Sequence, residues 1–233
     1  MLKIDSIETS YGLSQVLYGL SLEVKEGQVV TLLVRYGMGK TTTVRSIMGQ
    51  AVVNAGSITF DGINITGMDD FKIAQLGIGL VPEGRQVFPN LTVKETLIAT
   101  ADNRSGSNEP WTLYKVLNLL PALNTRQDAM GNELSGGEQQ MLAIGRALMT
   151  NPKMIILDEA TEGLAPLIRN EIWHCLEGLR AQGQSIMVID KNIDALTRVG
   201  DHHYIIERGR VVWEGASENL NSNEEIKHRY LGG

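Results

Sequence analysis

Leu134-Ser135-Gly136-Gly137-Glu138-Gln139-Gln140 is the stretch on which the reading of this chain turns. Ser-Gly-Gly leading into a helical pattern leaves backbone N–H groups bare, and the start of a helix adds partial positive charge, so the segment suits a phosphate. Ser135 would also serve as an ordinary N-cap. A second stretch close downstream weighs on the choice.

That stretch is Met154-Ile155-Ile156-Leu157-Asp158-Glu159, an unbroken apolar run ending in two carboxylates. It reads as a strand buried on both faces of a parallel sheet, with the acids at its C-terminal end, where α/β sheets place ligands. Adjacent acids at a strand end also occur as plain solvated loop residues. Upstream, Val29-Val30-Thr31-Leu32-Leu33 reads as a strand and Thr41 to Met48 as the start of a helix, with Val34-Arg35-Tyr36-Gly37-Met38-Gly39-Lys40 between them. Strand, glycine-containing loop and helix, with Gly39-Lys40-Thr41 at the junction, resemble a P-loop. There, backbone amides cradle phosphates, lysine reaches the β- and γ-phosphates and the hydroxyl takes Mg²⁺. The pattern asks for glycine five positions before Gly39, and Val34 stands there instead. A β-branched residue costs little in an extended position and much where φ is positive.

With these three motifs in this order, the chain resembles the ATP-binding subunit of an ABC transporter nearly end to end, the second stretch being its Walker B motif. Within that family it is most similar to the branched-chain amino acid (Liv-type) importer ATPases of the F-type. The residues that carry this are Val81-Pro82-Glu83-Gly84-Arg85, Leu134 through Met149, Glu162-Gly163-Leu164-Ala165-Pro166 and the terminal Tyr230-Leu231-Gly232-Gly233. The resemblance implies an α/β fold, a P-loop NTPase of the ABC nucleotide-binding-domain type, with a mixed sheet core, an antiparallel β subdomain and a helical subdomain. Residues 1–233 would form one domain, about 1–88 and 151–233 being the ATP-binding core and about 89–150 the helical subdomain with the signature.

The resemblance also implies ATP and Mg²⁺ as cofactors. Gly37, Met38, Gly39, Lys40, Thr41 and Thr42 would cradle the nucleotide, Thr41 and Asp158 would hold the metal, and Glu159 would polarise the attacking water. Tyr11 would stack on adenine, a half-buried strand-end tyrosine being the alternative. Glu83 stands where most of the family has Gln, in the loop linking the γ-phosphate site to the membrane partner. Ser135, Gly136 and Gly137 would grip the nucleotide bound by a second ATPase subunit, in a heterodimer or a homodimer. Two membrane permease subunits and, indirectly, a periplasmic solute-binding protein complete the implied set of partners, at the cytoplasmic face of the inner membrane.

Some positions depart from the family. Tyr36 stands where a small polar residue is usual, Ala160 replaces the usual proline after Walker B, and Asp190-Lys191-Asn192 puts Lys191 where a catalytic histidine is expected. Lysine can pair with phosphate but cannot accept a hydrogen bond as neutral imidazole can. With Val34, all these departures fall on the half-site around the chain's own P-loop, while the signature is intact. The expectation is a slow site here and a faster one on the partner, although Glu159 is retained. A related amide or urea importer, and a nucleotide-binding scaffold with little hydrolysis, remain alternative readings.

Composition sets limits. The formal charge of −6 over 233 residues argues against a broad nucleic-acid surface, so no nucleic-acid partner is expected. The apolar stretches fall short of the roughly 18 residues that span a bilayer, and Met1-Leu2-Lys3-Ile4 starts no secretory signal. The single cysteine, Cys175, cannot form an internal disulfide, and His174, His202, His203 and His228 have no metal-ligand spacing.

A coarse pass reads residues 2 to about 66 as antiparallel strands around the P-loop strand, with a hairpin-like turn at Asp61-Gly62. Thr92 with Glu95 predicts a capping box. Pro110 is expected to start a helix burying Leu113, Val116, Leu117 and Leu120. After the signature Met141, Ile144 and Leu148 share an apolar face, as do Ile168, Ile172, Leu176 and Leu179 in a helix from Pro166. Ser185 to Ile189 reads as a strand, a short hairpin passes through Gly209, and the polar stretch 102–109 reads as a flexible loop.

Overall fold

The apolar runs that read as strands buried on both faces form one sheet. The computed structural model describes residues 1–34 and 39–226, so Arg35, Tyr36, Gly37, Met38, His228 and Tyr230 to Gly233 lie outside the described residues, as does the side chain of Val34. In chain order the elements are β1 (Leu2–Tyr11), β2 (Ser14–Val24), β3 (Val29–Val34), α1 (Lys40–Ile47), β4 (Val53–Phe60), β5 (Ile63–Asn64), α2 (Asp70–Gln75) and β6 (Ile78–Val81). There follow α3 (Val93–Ala99), α4 (Leu113–Leu119), α5 (Pro121–Asn124), α6 (Gly136–Met149), β7 (Met154–Asp158), α7 (Pro166–Ala181), β8 (Ser185–Ile189), α8 (Ile193–Val199), β9 (His202–Glu207), β10 (Arg210–Ala216), α9 (Ser217–Asn221) and a last turn, α10 (Glu224–Ile226).

One sheet has the order β10-β9-β3-β8-β7-β6, parallel throughout except for the antiparallel edge β10. Its strands pack both faces. Val29, Leu33, Ile155, Leu157, Ile186 and Val188 turn to a core shared with α3, α4, α6, α7 and α8. Val30, Leu32, Met154, Ile156, Met187 and Ile189 turn to a second core shared with α1 and the other sheet. Leu32 and Asp158 both stand opposite Ile189, and Val81 stands opposite Leu157, so β3, β8, β7 and β6 end along one edge.

The second sheet, β2-β1-β4-β5, is antiparallel. The expectation that these strands surround the P-loop strand is corrected, because β3 leaves them for the parallel sheet. The reason is burial on two sides: β1 alternates buried Leu2 and Ile4 with exposed Lys3 and Asp5, whereas Val29, Val30, Leu32 and Leu33 are all buried. Asp61 and Gly62 both take positive φ between the paired Phe60 and Ile63, the signature of a type I′ hairpin turn.

Helix starts follow their caps. Thr92 Oγ1 accepts from Glu95 N–H at 3.1 Å while Glu95 Oε2 accepts from Thr92 N–H at 2.9 Å. The helix expected at Pro110 begins at Leu113, because Thr112 takes the extended cap conformation and accepts from Lys115 N–H at 3.3 Å. Its face buries Val116 and Leu117, with Leu120 just beyond its end. Met141, Ile144 and Leu148 are buried along α6, and Ile172, Leu176 and Leu179 along α7, where Ile168 is half-buried.

The polar stretch 102–109 is held rather than free. The last carbonyls of a helix have no partner within it, and here Asp102, Arg104 and Ser105 N–H groups donate to Met149, Thr150 and Asn151 carbonyls at 3.0, 3.2 and 2.9 Å. Asn151, buried and at φ 50°, closes the junction by donating from Nδ2 to the carbonyls of Asp102 at 2.7 Å and Trp111 at 3.2 Å. Arg104 Nη1 reaches across to Ala74 O at 3.0 Å.

Two buried polar groups are structural. Cys175 lies within the helical core, and burial pushes its thiol up to about 12. His203 links β9 to β3 and α9: Thr31 Oγ1 lies 2.6 Å from Nδ1 and Ser217 Oγ 2.7 Å from Nε2. Since the Ser217 hydroxyl donates to Gly200 O at 2.7 Å, its oxygen accepts from Nε2–H, and because burial keeps the ring neutral Nδ1 accepts from Thr31.

Candidate functional site

The parallel strands deliver their last residues to a common edge. Gly39 precedes α1 at φ 105°, and an added Cβ would stand 2.9 Å from Leu17 Cδ2, so both conformation and space call for glycine there. The Thr43 N–H and hydroxyl both donate to Gly39 O, at 2.8 and 2.9 Å, and tie the helix start down. Lys40 opens α1, with Thr41 half-buried and Thr42 buried in its first turn, and its ammonium pairs with Glu159.

Asp158 ends β7, almost wholly buried, and its Oδ1 has no hydrogen-bond partner. Burial pushes its carboxyl above the ordinary range, opposed chiefly by Lys40; burial likewise lowers the Lys40 ammonium, opposed by Asp158 and Glu83. Glu159 turns away from the strand at φ 51°, held by its N–H to Ile189 O at 2.8 Å. Its carboxylate, that of Glu162 and that of Glu83 just past β6 lie within 4.8 Å of one another.

Lys191 enters this acidic group. Its Nζ lies 2.6 Å from Glu162 Oε1 and 3.8 Å from Glu159 Oε1. Its backbone is set by Asp190, whose Oδ1 accepts from Lys191 and Asn192 N–H at 2.7 and 3.0 Å and whose Oδ2 accepts from Thr161 at 2.6 Å. Sequence reasoning missed this Thr161–Asp190 clasp between the turns after β7 and β8. The Asp-x-Asn spacing signals the Asx turn alone, since Thr161 is remote in sequence.

The signature sits elsewhere. Ser135 caps α6: its Oγ accepts from Glu138 N–H at 3.3 Å and its own N–H donates to Glu138 Oε2 at 2.7 Å. Desolvation works against the Glu138 carboxylate, yet its bonds to Ser135 and the charge of Arg126 hold it below the ordinary range. Gly136 carries the Arg85 guanidinium, whose Nη1 would stand 2.7 Å from an added Cβ, and a Cβ on Gly137 would stand 2.6 Å from Ile168 Cγ2. Both glycines therefore allow close approach. Among the described residues no hydrogen bond or ion pair joins Ser135, Gly136 or Gly137 to Lys40, Asp158 or Glu159. Tyr11 is exposed at the end of β1, in the turn to β2.

Asp158 Oδ1, a buried acceptor with nothing to accept from, fits a cation. Thr41 and Asp158 would hold Mg²⁺, which would neutralise phosphate charge. With nucleotide bound, Lys40 would bind phosphate oxygens and Glu159 would accept a proton from water.

A strand-to-helix junction on Gly39-Lys40-Thr41 beside a buried acidic strand end defines the class of P-loop nucleoside triphosphatases. The sequence profile described as ABC transporter matches residues 17–162. The chain belongs to this family of ABC transporter ATPases, and it binds ATP. It is 39% identical over its full length to the whole high-affinity branched-chain amino acid transport ATP-binding protein of Pseudomonas aeruginosa. It is 32% identical, over all of its length and 97% of the relative, to the lipopolysaccharide export system ATP-binding protein of Haemophilus influenzae. Among solved structures, a nucleotide-free ATP-binding cassette of an ABC transporter superposes with a TM-score of 0.84 at 28% identity, over 100% of this chain and 99% of that one. An ADP-bound cassette does so with the same values.

Proposed function

We propose that this chain is the ATP-hydrolysing subunit of a branched-chain amino acid importer, acting as a dimer with a second ATPase subunit beneath two membrane permeases. The observation that carries it is the full-length 39% identity to a branched-chain amino acid transport ATP-binding protein, against 32% for a lipopolysaccharide export protein. In this reading Tyr11 stacks on adenine, Gly37 to Thr42 cradle the phosphates, Thr41 and Asp158 hold Mg²⁺, and Glu159 orients the water. Ser135, Gly136 and Gly137 serve the partner's nucleotide. Residues 89–150 form the helical part that meets the permeases, on the cytoplasmic face of the inner membrane with a periplasmic binding protein opposite. Among the described residues no helix is long and apolar enough to cross a membrane, in keeping with a peripheral place.

The Lys191 ammonium competes with water for the Glu159 carboxylate, which supports slow turnover at the chain's own site. Two measurements test the reading. Deleting the gene abolishes uptake of labelled leucine, isoleucine and valine; uptake lost for urea or short amides instead moves the assignment to that importer class. Glu159→Gln here lowers phosphate release by the complex less than the matching change in the partner subunit; equal losses end the asymmetry. A wild-type complex that releases no phosphate leaves a nucleotide-binding scaffold.

A further inference from the structure

The loop after β6 places three consecutive residues in the left-handed region, Gly84 at φ 79°, Arg85 at 64° and Gln86 at 47°. Glycine adopts this conformation freely, whereas in Arg85 and Gln86 the Cβ crowds the following carbonyl. Gln86 N–H closes the turn on Gly84 O at 2.7 Å. The carbonyls of the two strained residues are both taken by Arg146, from the last turns of α6. Its Nη1 donates to Gln86 O at 2.6 Å and its Nη2 to Arg85 O at 3.5 Å, with the Phe88 ring 5.8 Å from its guanidinium carbon.

The turn has a charged group at each side. Glu83, just before it, brings its carboxylate within 4.8 Å of those of Glu159 and Glu162. The guanidinium of Arg85, within it, lies against Gly136 at the first turn of the signature helix. Moving either φ out of the left-handed region would swing both groups, since they leave the same few peptide units.

We propose that Arg146 is a positioning residue for ATP hydrolysis: by holding the carbonyls of Arg85 and Gln86 it keeps the left-handed turn formed, and the turn fixes Glu83 beside Glu159 and Arg85 against Gly136. This rests on the reading that Glu83 and the signature handle nucleotide. Without the guanidinium, each non-glycine residue of the turn is disfavoured by on the order of ten-fold relative to right-handed or extended backbone.

The test is a mutant cycle in the full-length chain co-purified with its transport partners, reading kcat, the KM for ATP and the melting temperature. Arg146→Ala lowers kcat by about ten-fold with KM for ATP changed less than about two-fold. Gln86→Gly alone changes neither. Arg146→Ala with Gln86→Gly recovers several-fold of the lost kcat, because glycine reaches positive φ without help. Gln86→Pro, at an exposed position, leaves Arg146 in place but cannot reach positive φ, and lowers kcat at least as far. If Arg146→Ala does not fold, Arg146→Lys replaces it in the cycle. Full kcat in Gln86→Pro, or a double variant no faster than Arg146→Ala at wild-type melting temperature, overturns the proposal alone. A wild-type complex that releases no phosphate overturns it together with the functional reading.

Discussion

The two regions of the chain that read as phosphate sites are built on opposite plans. At the strand edge, charges are buried and incompletely paired: Asp158 keeps a bare oxygen, and Lys40 and Lys191 crowd around Glu159. At the start of α6, Ser135 and Glu138 satisfy one another, and two glycines leave room rather than charge. The first arrangement is unfinished without a ligand. The second is complete as a helix start, so its further use depends on something brought to it.

Removing the central cation should have the largest effect. In a complex whose partner subunit carries the change matching Glu159→Gln, Lys40→Ala leaves Asp158 and Glu159 buried without it and should cut the remaining phosphate release by about 10²–10³, or about 2.7–4 kcal/mol of transition-state stabilisation. A variant that keeps a tenth of that remaining rate would show that the strand edge is not the site.

His203 supplies a buried polar group that, unlike Asp158, has every partner. Burial, and next the neighbouring His202, lower it from 6.5 to about 4, while Asp201 and Glu218 pull the other way. The folded value lies below the unfolded one, so its contribution is present above pH 6.5 and is lost as pH falls towards 4. The loss is on the order of 3 kcal/mol at most. Denaturant melts from pH 7 to 4 should fall less steeply for His203→Gln than for wild type; identical slopes would remove His203 from the account.

Gly137→Ala should cost about 1–3 kcal/mol, because its Cβ meets Ile168 of α7, and should slow hydrolysis by tilting the start of α6. Unchanged activity at lowered stability would separate the signature's geometry from its chemistry. The smallest and sharpest comparison is Ser135→Ala against Thr92→Ala, two capping boxes of the same design. Each should lose about 1 kcal/mol of stability, while phosphate release falls in Ser135→Ala alone. Equal activities would reduce Ser135 to a cap.

The sequence reading succeeded where a local signal carried the structure. The double-faced burial of Met154 to Leu157, the I′ turn at Asp61-Gly62 and the Thr92–Glu95 box each follow from a handful of neighbouring residues. It failed where distant parts decide. Polar residues 102–109 look solvated, yet the open carbonyls at the end of α6 bind them. Pro110 looks like a helix start, yet Thr112 offers the better cap. Of the site, the strand-end acids and Lys40 were legible from type and order. The Thr161–Asp190 clasp, the paired contacts of Lys191 and the hold of Arg146 on Gln86 join residues tens of positions apart, which no short motif encodes.

Asn151 stands at the far end of α6 from Ser135, and its side chain pins the helix to the start and end of the 102–111 stretch. Fourteen residues at a rise of about 1.5 Å separate the two ends by about 21 Å. At that length a turn of only about 10° about the asparagine end would carry the signature serine through about 4 Å, more than the length of a hydrogen bond.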